Sequence, residues 1–162
     1  VNTICFEDGK RIGYNTDIYG FSESLKANSI NRIDSVIVLG TGGASKTVIY
    51  FCKKNNIQFK ILSRKKSKDC LSYKEINHSF FEGNVLIVNC TPIGTYPKIN
   101  ECPDLPYNLL NKENILFDLV YNPPETLFIK KGKEIGCKTL NGYEMLKFQA
   151  EKAWNLWTKT FK

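Results

Sequence analysis

The chain has 162 residues, and its 23 Lys and Arg outnumber 16 Asp and Glu to give a net charge of +7. That length suits about one domain with a real core, and 42% hydrophobic with 24% charged residues is the balance of a globular protein, not of a disordered or fibrous chain. No apolar run reaches the roughly 18–20 residues of a membrane span, and no secretory leader pattern is visible, so the expectation is a cytoplasmic protein with no membrane partner.

In chain order, "TICFE" (3–7) and "KRIGY" (10–14) flank Asp8-Gly9, a strong two-residue hairpin signal because both turn positions need positive φ. The "NTD" that follows places Asp17 as the N-cap of a helix, with Phe21 and Leu25 one turn apart on its apolar face. From Asp34 the pattern changes. "SVIVLG" (35–40) is a continuous apolar run ending in glycine, as a buried parallel strand should be. A helix (44–55) and the strand "QFKILS" (58–63) follow. Further strands are predicted at "NVLIVNC" (84–90), "NILFDLV" (114–120) and "CKTL" (137–140). A helix over 126–136 closes on Gly136, and a long terminal helix runs from about Met145 to Phe161. Strands alternating with helices define an α/β chain: a Rossmann-like open, mostly parallel sheet with helices on both faces.

Two stretches of this sheet carry chemistry. In "VLGTGGAS", Gly40 lets the chain turn off the strand, while Gly42 and Gly43 keep side chains away from an approaching pyrophosphate. The amides and dipole at the start of the next helix then face that anion. Ser45 stands where the third glycine of G-x-G-x-x-G would be, so the motif is incomplete. At the end of the second strand, where NAD-binding units place a carboxylate for the ribose 2′-hydroxyl, the chain reads "LSRKKSKD". Ser63, Arg64 and Lys65 come first and no carboxylate precedes Asp69. Cations there suit a 2′-phosphate, which makes NADP the predicted cofactor.

The remaining polar chemistry is sparse. Six cysteines form no C-x-x-C pair, the single histidine is His78, and both facts argue against a bound metal or a His-based triad. The basic clusters at 53–54, 64–68 and 130–133 carry no interleaved aromatics, and two of them fall at helix ends, where the macrodipole favours cations. Nucleic acid is therefore not an expected partner.

Several stretches, in order, resemble one family, shikimate dehydrogenase: "VNT" (1–3), "GYNTDIYGF" (13–21), "VLGTGGAS" (38–45), "NCTPIG" (89–94), "DLVYNPPET" (118–126) and "NGYEMLKFQAEKAWNLW" (141–157). The resemblance implies NADPH-dependent reduction of 3-dehydroshikimate to shikimate in aromatic amino-acid biosynthesis. It implies substrate-binding roles for Asn2, Asp17, Tyr121 and Gln149, with Asp17 also half of a catalytic Lys–Asp pair. It assigns Gly40, Thr41, Gly42, Gly43 and Ala44 to the diphosphate loop, and Leu119 and Gly142 to contacts near the nicotinamide. Ser63, Arg64, Lys65 and Lys68 align with the family's phosphate clamp, although Ser63 and Lys65 depart from its usual Asn and Thr.

The resemblance also bears on domain organisation. Residues 1–16 and 145–162 are expected to be remnants of an α/β lobe that binds most of the substrate and supplies the catalytic lysine, flanking a cofactor domain at 17–144. Without that lobe, the chain alone is expected to bind NADP(H) with little or no turnover. Phe148, Ala153, Trp154 and Trp157 would then form an exposed apolar patch, which favours self-association and leaves room for a homodimer. Two alternatives stay open on sequence: a quinate/shikimate dehydrogenase relative that uses NAD as well, and a non-catalytic nucleotide-binding module of a larger polypeptide.

Overall fold

Asp8 and Gly9 turn with φ of 49° and 74°, the left-handed pair that a tight hairpin demands. In the computed structural model, which describes residues 1–159, they join β1 (Thr3–Glu7) to an antiparallel β2 (Lys10–Tyr14). Helix α1 (Asp17–Ala27) follows and buries Gly20, Phe21, Ser24 and Leu25 on one face. Gly20 is there for packing: a Cβ on it would lie 2.5 Å from the Met145 carbonyl oxygen in the last helix of the chain, residues 143–159. The hairpin, α1 and that last helix make one compact unit, Val1–Asn31 with Glu144–Lys162, and Arg32–Tyr143 make the other. Helix α1 thus falls in the same unit as the hairpin, whereas the sequence reading starts the cofactor domain at residue 17. The proposed end of the last helix at Phe161 lies outside the described residues.

Asp17 is not the cap of α1. Thr16 holds the N-cap position without a side-chain cap bond, and Asn15 Oδ1 accepts from the Ile18 amide instead. Asp17 is the first residue of the helix, where its charge complements the dipole and its carboxylate is left to make other bonds.

The second unit is built on six parallel strands: β3 (Ser35–Leu39), β4 (Gln58–Ser63), β5 (Leu71–Ser72), β6 (Val85–Asn89), β7 (Ile115–Asp118) and β8 (Lys138–Leu140). Their order is β5-β4-β3-β6-β7-β8, and every neighbouring pair is parallel. Chain order reverses between β3 and β6, the switch point at which doubly wound sheets bind ligands. Helix α2 (Gly43–Lys54) connects β3 to β4, and α3 (Leu127–Ile135) connects β7 to β8, capped by the Thr126 side chain at its start and by left-handed Gly136 (φ 88°) at its end. The last helix is α4 (Tyr143–Lys159).

Strand alternation divides the core between two layers. Ile37, Leu39, Val85 and Ile87 pack with Phe128 and Ile129 of α3, and with Phe81, Leu105 and Leu110 from connections that contain no α-helix. The alternate residues Val36, Val38, Leu86 and Val88 are buried on the opposite side, as are Val48 and Cys52 of α2. Strands covered on both faces read as unbroken apolar runs, which is why they are legible in the sequence. β5 is not: two residues carry no period. All six cysteines are free thiols, four of them buried.

Candidate functional site

The C-terminal ends of β3, β4, β6 and β7 lie level. Leu39 is in register with Leu62 and Asn89, and Asn89 with Asp118. The predicted cofactor residues gather at this edge. Gly40 leaves β3 with φ 100°, and a Cβ on it would meet the Thr91 methyl at 2.8 Å, so both conformation and space demand glycine. Gly42 and Gly43 differ. A Cβ on either meets nothing within 4 Å, and Gly42 has an ordinary φ of −76°. Internal packing therefore does not require these two glycines, whereas a group approaching the backbone from outside would.

Thr41, Gly42, Gly43 and Ala44 are all exposed at the start of the 12-residue α2, whose first turn holds no acidic residue and no side-chain cap. Ser45, in place of a third glycine, is buried and turns its hydroxyl inward to the Gly42 carbonyl at 2.7 Å. The amides at this helix start are left facing outward, a ready anion site.

At the end of β4, Ser63 is half-buried and Arg64, Lys65 and Lys68 are exposed. Lys66, the other basic residue of the run, is paired with Glu75, whose other oxygen accepts from the Ser72 amide at 2.8 Å. Among the described residues Arg64, Lys65 and Lys68 have no carboxylate partner. Arg64 lies near the Tyr73 phenol: burial pushes that phenol up to about 12, and the Arg64 charge opposes the rise. The residue set fits a dinucleotide with a 2′-phosphate: an open glycine turn, bare amides, and at the end of β4 three cations without a carboxylate partner among the described residues.

On the other side of the switch point, Leu119 follows β7 and Gly142 precedes α4. A Cβ at Gly142 would overlap the Leu119 carbonyl oxygen, so these two residues are in direct backbone contact. Tyr121 is 48% exposed in the loop after β7.

Sequence reasoning overlooked what holds this edge together. Asn89, Asp118 and Thr126 are all but fully buried and hydrogen-bonded to one another. Asn89 Nδ2 donates to Asp118 Oδ1 at 2.9 Å, and Thr126 Oγ1 donates to Asp118 Oδ2. Burial pushes the Asp118 carboxyl up to about 6, against three hydrogen bonds that pull it down. A signal was present: each of two apolar strands ends in a polar residue, Asn89 and Asp118, one strand apart.

Asp118 makes stability depend on pH. With a folded value of about 6 and an unfolded value near 3.9, the unfolded chain releases this proton first. Its contribution is fully present below about pH 4, is lost as pH rises to about 6, and is flat above. Exposed Asp34 and Glu125 and half-buried Glu75, held low by their partners, act in the opposite sense at lower pH. The stability difference between the parent and Asp118→Asn isolates the buried group. Urea midpoints should show that difference falling by roughly 2–3 kcal/mol between pH 4 and 7. A difference that stays constant across that range would contradict the assignment.

The predicted substrate residues of the first unit form a second cluster, centred on Thr16. Asn2 Nδ2 donates to Asp17 Oδ1 at 2.9 Å and to Thr16 Oγ1 at 3.1 Å, and Asn2 Oδ1 accepts from the Thr16 amide at 2.9 Å. The Thr16 hydroxyl reaches Gln149 Oε1 at 3.2 Å. Asn2, Asp17 and Gln149, far apart in sequence, thus share one network of amides and a carboxylate, able to bind a polyhydroxylated ligand. Of the expected apolar patch on α4, Trp154 and Trp157 are exposed, but Ala153 is buried.

These observations define an α/β domain of the doubly wound type, with a glycine turn and cations suited to a dinucleotide, alongside a second compact unit. No protein-family model matches the chain. A shikimate dehydrogenase (NADP(+)) of Clostridium beijerinckii is 42% identical over 168 residues, covering 97% of this chain and 61% of the relative. A solved chorismate mutase/shikimate 5-dehydrogenase fusion protein from Clostridium acetobutylicum is 33% identical with a TM-score of 0.86, over 98% of this chain and 61% of that one. The Thermus thermophilus shikimate 5-dehydrogenase, solved in complex with NADP(H) and shikimate, is 30% identical with a TM-score of 0.80, over 94% and 59%. Over nearly its whole length the chain is similar to shikimate dehydrogenases, and it spans about three-fifths of the length of the relatives it matches.

Proposed function

We propose that the chain is the cofactor-binding part of an NADP-dependent shikimate dehydrogenase, which interconverts shikimate and 3-dehydroshikimate in the cytoplasm. The observation that carries this reading is the combination of an open, acid-free glycine turn with three unpaired cations at the end of β4. The backbone amides after Gly40 would hold the pyrophosphate, and Arg64, Lys65 and Lys68, with the Ser63 hydroxyl, would hold the 2′-phosphate. Leu119 and Gly142, in backbone contact with each other, would border the nicotinamide.

The bound cofactor supplies or takes the hydride. Within the first unit the chain's own groups orient the alcohol: Asn2 and Gln149 offer amides, and the Asp17 carboxylate accepts from a substrate hydroxyl. The relatives' names, shikimate dehydrogenase (NADP(+)), support the substrate.

Shikimate-dependent reduction of NADP+ by the whole protein, followed by nicotinamide absorbance, tests the reading. Asp17→Asn keeps an acceptor for Asn2 and should leave the fold intact, yet lower turnover by about 10²–10⁴, the usual cost of removing a group that handles the proton. Turnover unchanged in the variant, or no response to shikimate from a protein that carries this chain together with the lobe expected to supply the lysine, would overturn the reading.

A further inference from the structure

Asp118 is placed between the two loops that follow β6 and β7. Its Oδ1 accepts from the Val120 amide at 3.0 Å, in its own loop, and from Asn89 Nδ2 at 2.9 Å, in the neighbouring strand. That second bond fixes the Asn89 amide so that its Oδ1 takes the Thr91 amide at 3.1 Å and the Thr91 hydroxyl at 2.6 Å. Asn89 Nδ2 also donates to the Ile93 carbonyl at 3.2 Å, and Thr91 Oγ1 accepts from the Ile93 amide at 3.3 Å. The other carboxylate oxygen takes the Thr126 hydroxyl, which also accepts from the Ile129 amide at 3.4 Å to cap α3. One carboxylate therefore sets the backbone of both loops.

These loops matter because of where they stand. Thr91 touches the space a Cβ on Gly40 would fill, and the segment after Asp118 carries the Leu119 carbonyl that abuts Gly142. A doubly wound sheet divides a dinucleotide at the switch point, with one nucleotide over each half. The cations of β4 mark the adenosine half, so the loops after β6 and β7 border the nicotinamide half.

We propose that Asp118 is a positioning residue for the nicotinamide half of the cofactor, locking the Thr91–Ile93 turn and the Leu119–Val120 segment into one surface through Asn89 and the Val120 amide. This rests on the NADP-binding reading above. A carboxylate buried at the sheet edge is costly, and its ionised form at neutral pH is retained because every oxygen is used.

The test joins amide exchange of the ligand-free chain to calorimetric binding of two probes, NADP+ and 2′,5′-ADP, which lacks the nicotinamide half. In Asp118→Ala, the Thr91, Ile93 and Val120 amides should exchange at least about tenfold faster, while amides of β4 keep their protection. NADP+ should bind at least about tenfold more weakly and 2′,5′-ADP within about twofold of the parent. Asp118→Asn, which keeps an acceptor for Val120 and Asn89, should restore both. Asn89→Leu removes the bridge together with Asn89's own bonds to Thr91 and Ile93 but leaves the Asp118–Val120 bond, so it should release Thr91 and Ile93 and not Val120. Retained Val120 protection carries the exchange test if Asp118→Ala does not fold. Equal loss of both probes, or exchange unchanged in both loops, would overturn the proposal without touching the NADP reading. Failure of the parent chain to bind either probe would remove the reading itself and the positioning role with it.

Discussion

Gly42→Ala should abolish most dinucleotide binding while leaving the fold as stable as before. The two effects separate because the space above Gly42 is empty of protein: a Cβ there meets nothing within 4 Å, and its φ of −76° suits any residue. Gly42 is the N-cap of α2, where alanine is roughly 1 kcal/mol worse than glycine. Reduced freedom of the unfolded chain returns about 0.4–1 kcal/mol, so the net change in stability should stay within about 1 kcal/mol. Binding behaves otherwise. A methyl at the helix start holds the pyrophosphate off at least two backbone donors, each worth roughly 1.5–3 kcal/mol to a charged group, which amounts to about 10²-fold or more in affinity. Urea denaturation and NADP+ titration of the same sample make the comparison. Undiminished binding would mean that the turn serves only to connect β3 to α2.

Arg64→Ala should change which cofactor the chain prefers. Arg64 is exposed and has no carboxylate partner among the described residues, so its removal costs the fold almost nothing. Against a 2′-phosphate it contributes a charge-assisted hydrogen bond of roughly 1.5–3 kcal/mol, and its loss should weaken NADP+ by about tenfold or more. NAD+, which lacks that phosphate, should bind within about twofold of the parent. Lys66→Ala is the matched control: the same cluster and the same charge, but already neutralised by Glu75, so NADP+ affinity should change little. A variant pair that responds equally would assign the effect to net charge alone.

Much of this was legible in the sequence where one physical rule acts alone. Strands buried on both faces announce themselves as apolar runs, Asp8-Gly9 requires a hairpin, and Gly40 requires a sharp exit from β3. The cationic end of β4 was visible too, but not that Glu75 takes Lys66 out of the set, because that pairing spans a two-residue strand with no periodic signature. Asp17 sat one position from its predicted place because Asn15, Thr16 and Asp17 are all capping residue types, and only the fold decides among them. The Asn89–Asp118–Thr126 network joins three residues through the register of β6 with β7, which sequence alone does not give. The same holds for Asn2, Thr16 and Gln149, brought together by the packing of α1 on α4.

The most direct test is calorimetric titration of the 162-residue chain with NADP+ and, separately, with NAD+. Saturable binding of NADP+ is expected, tighter than NAD+ by about tenfold or more, since one charge-assisted bond exceeds the ~1.4 kcal/mol of a decade. Equal affinity for the two, or binding of neither, would contradict a 2′-phosphate site at the end of β4.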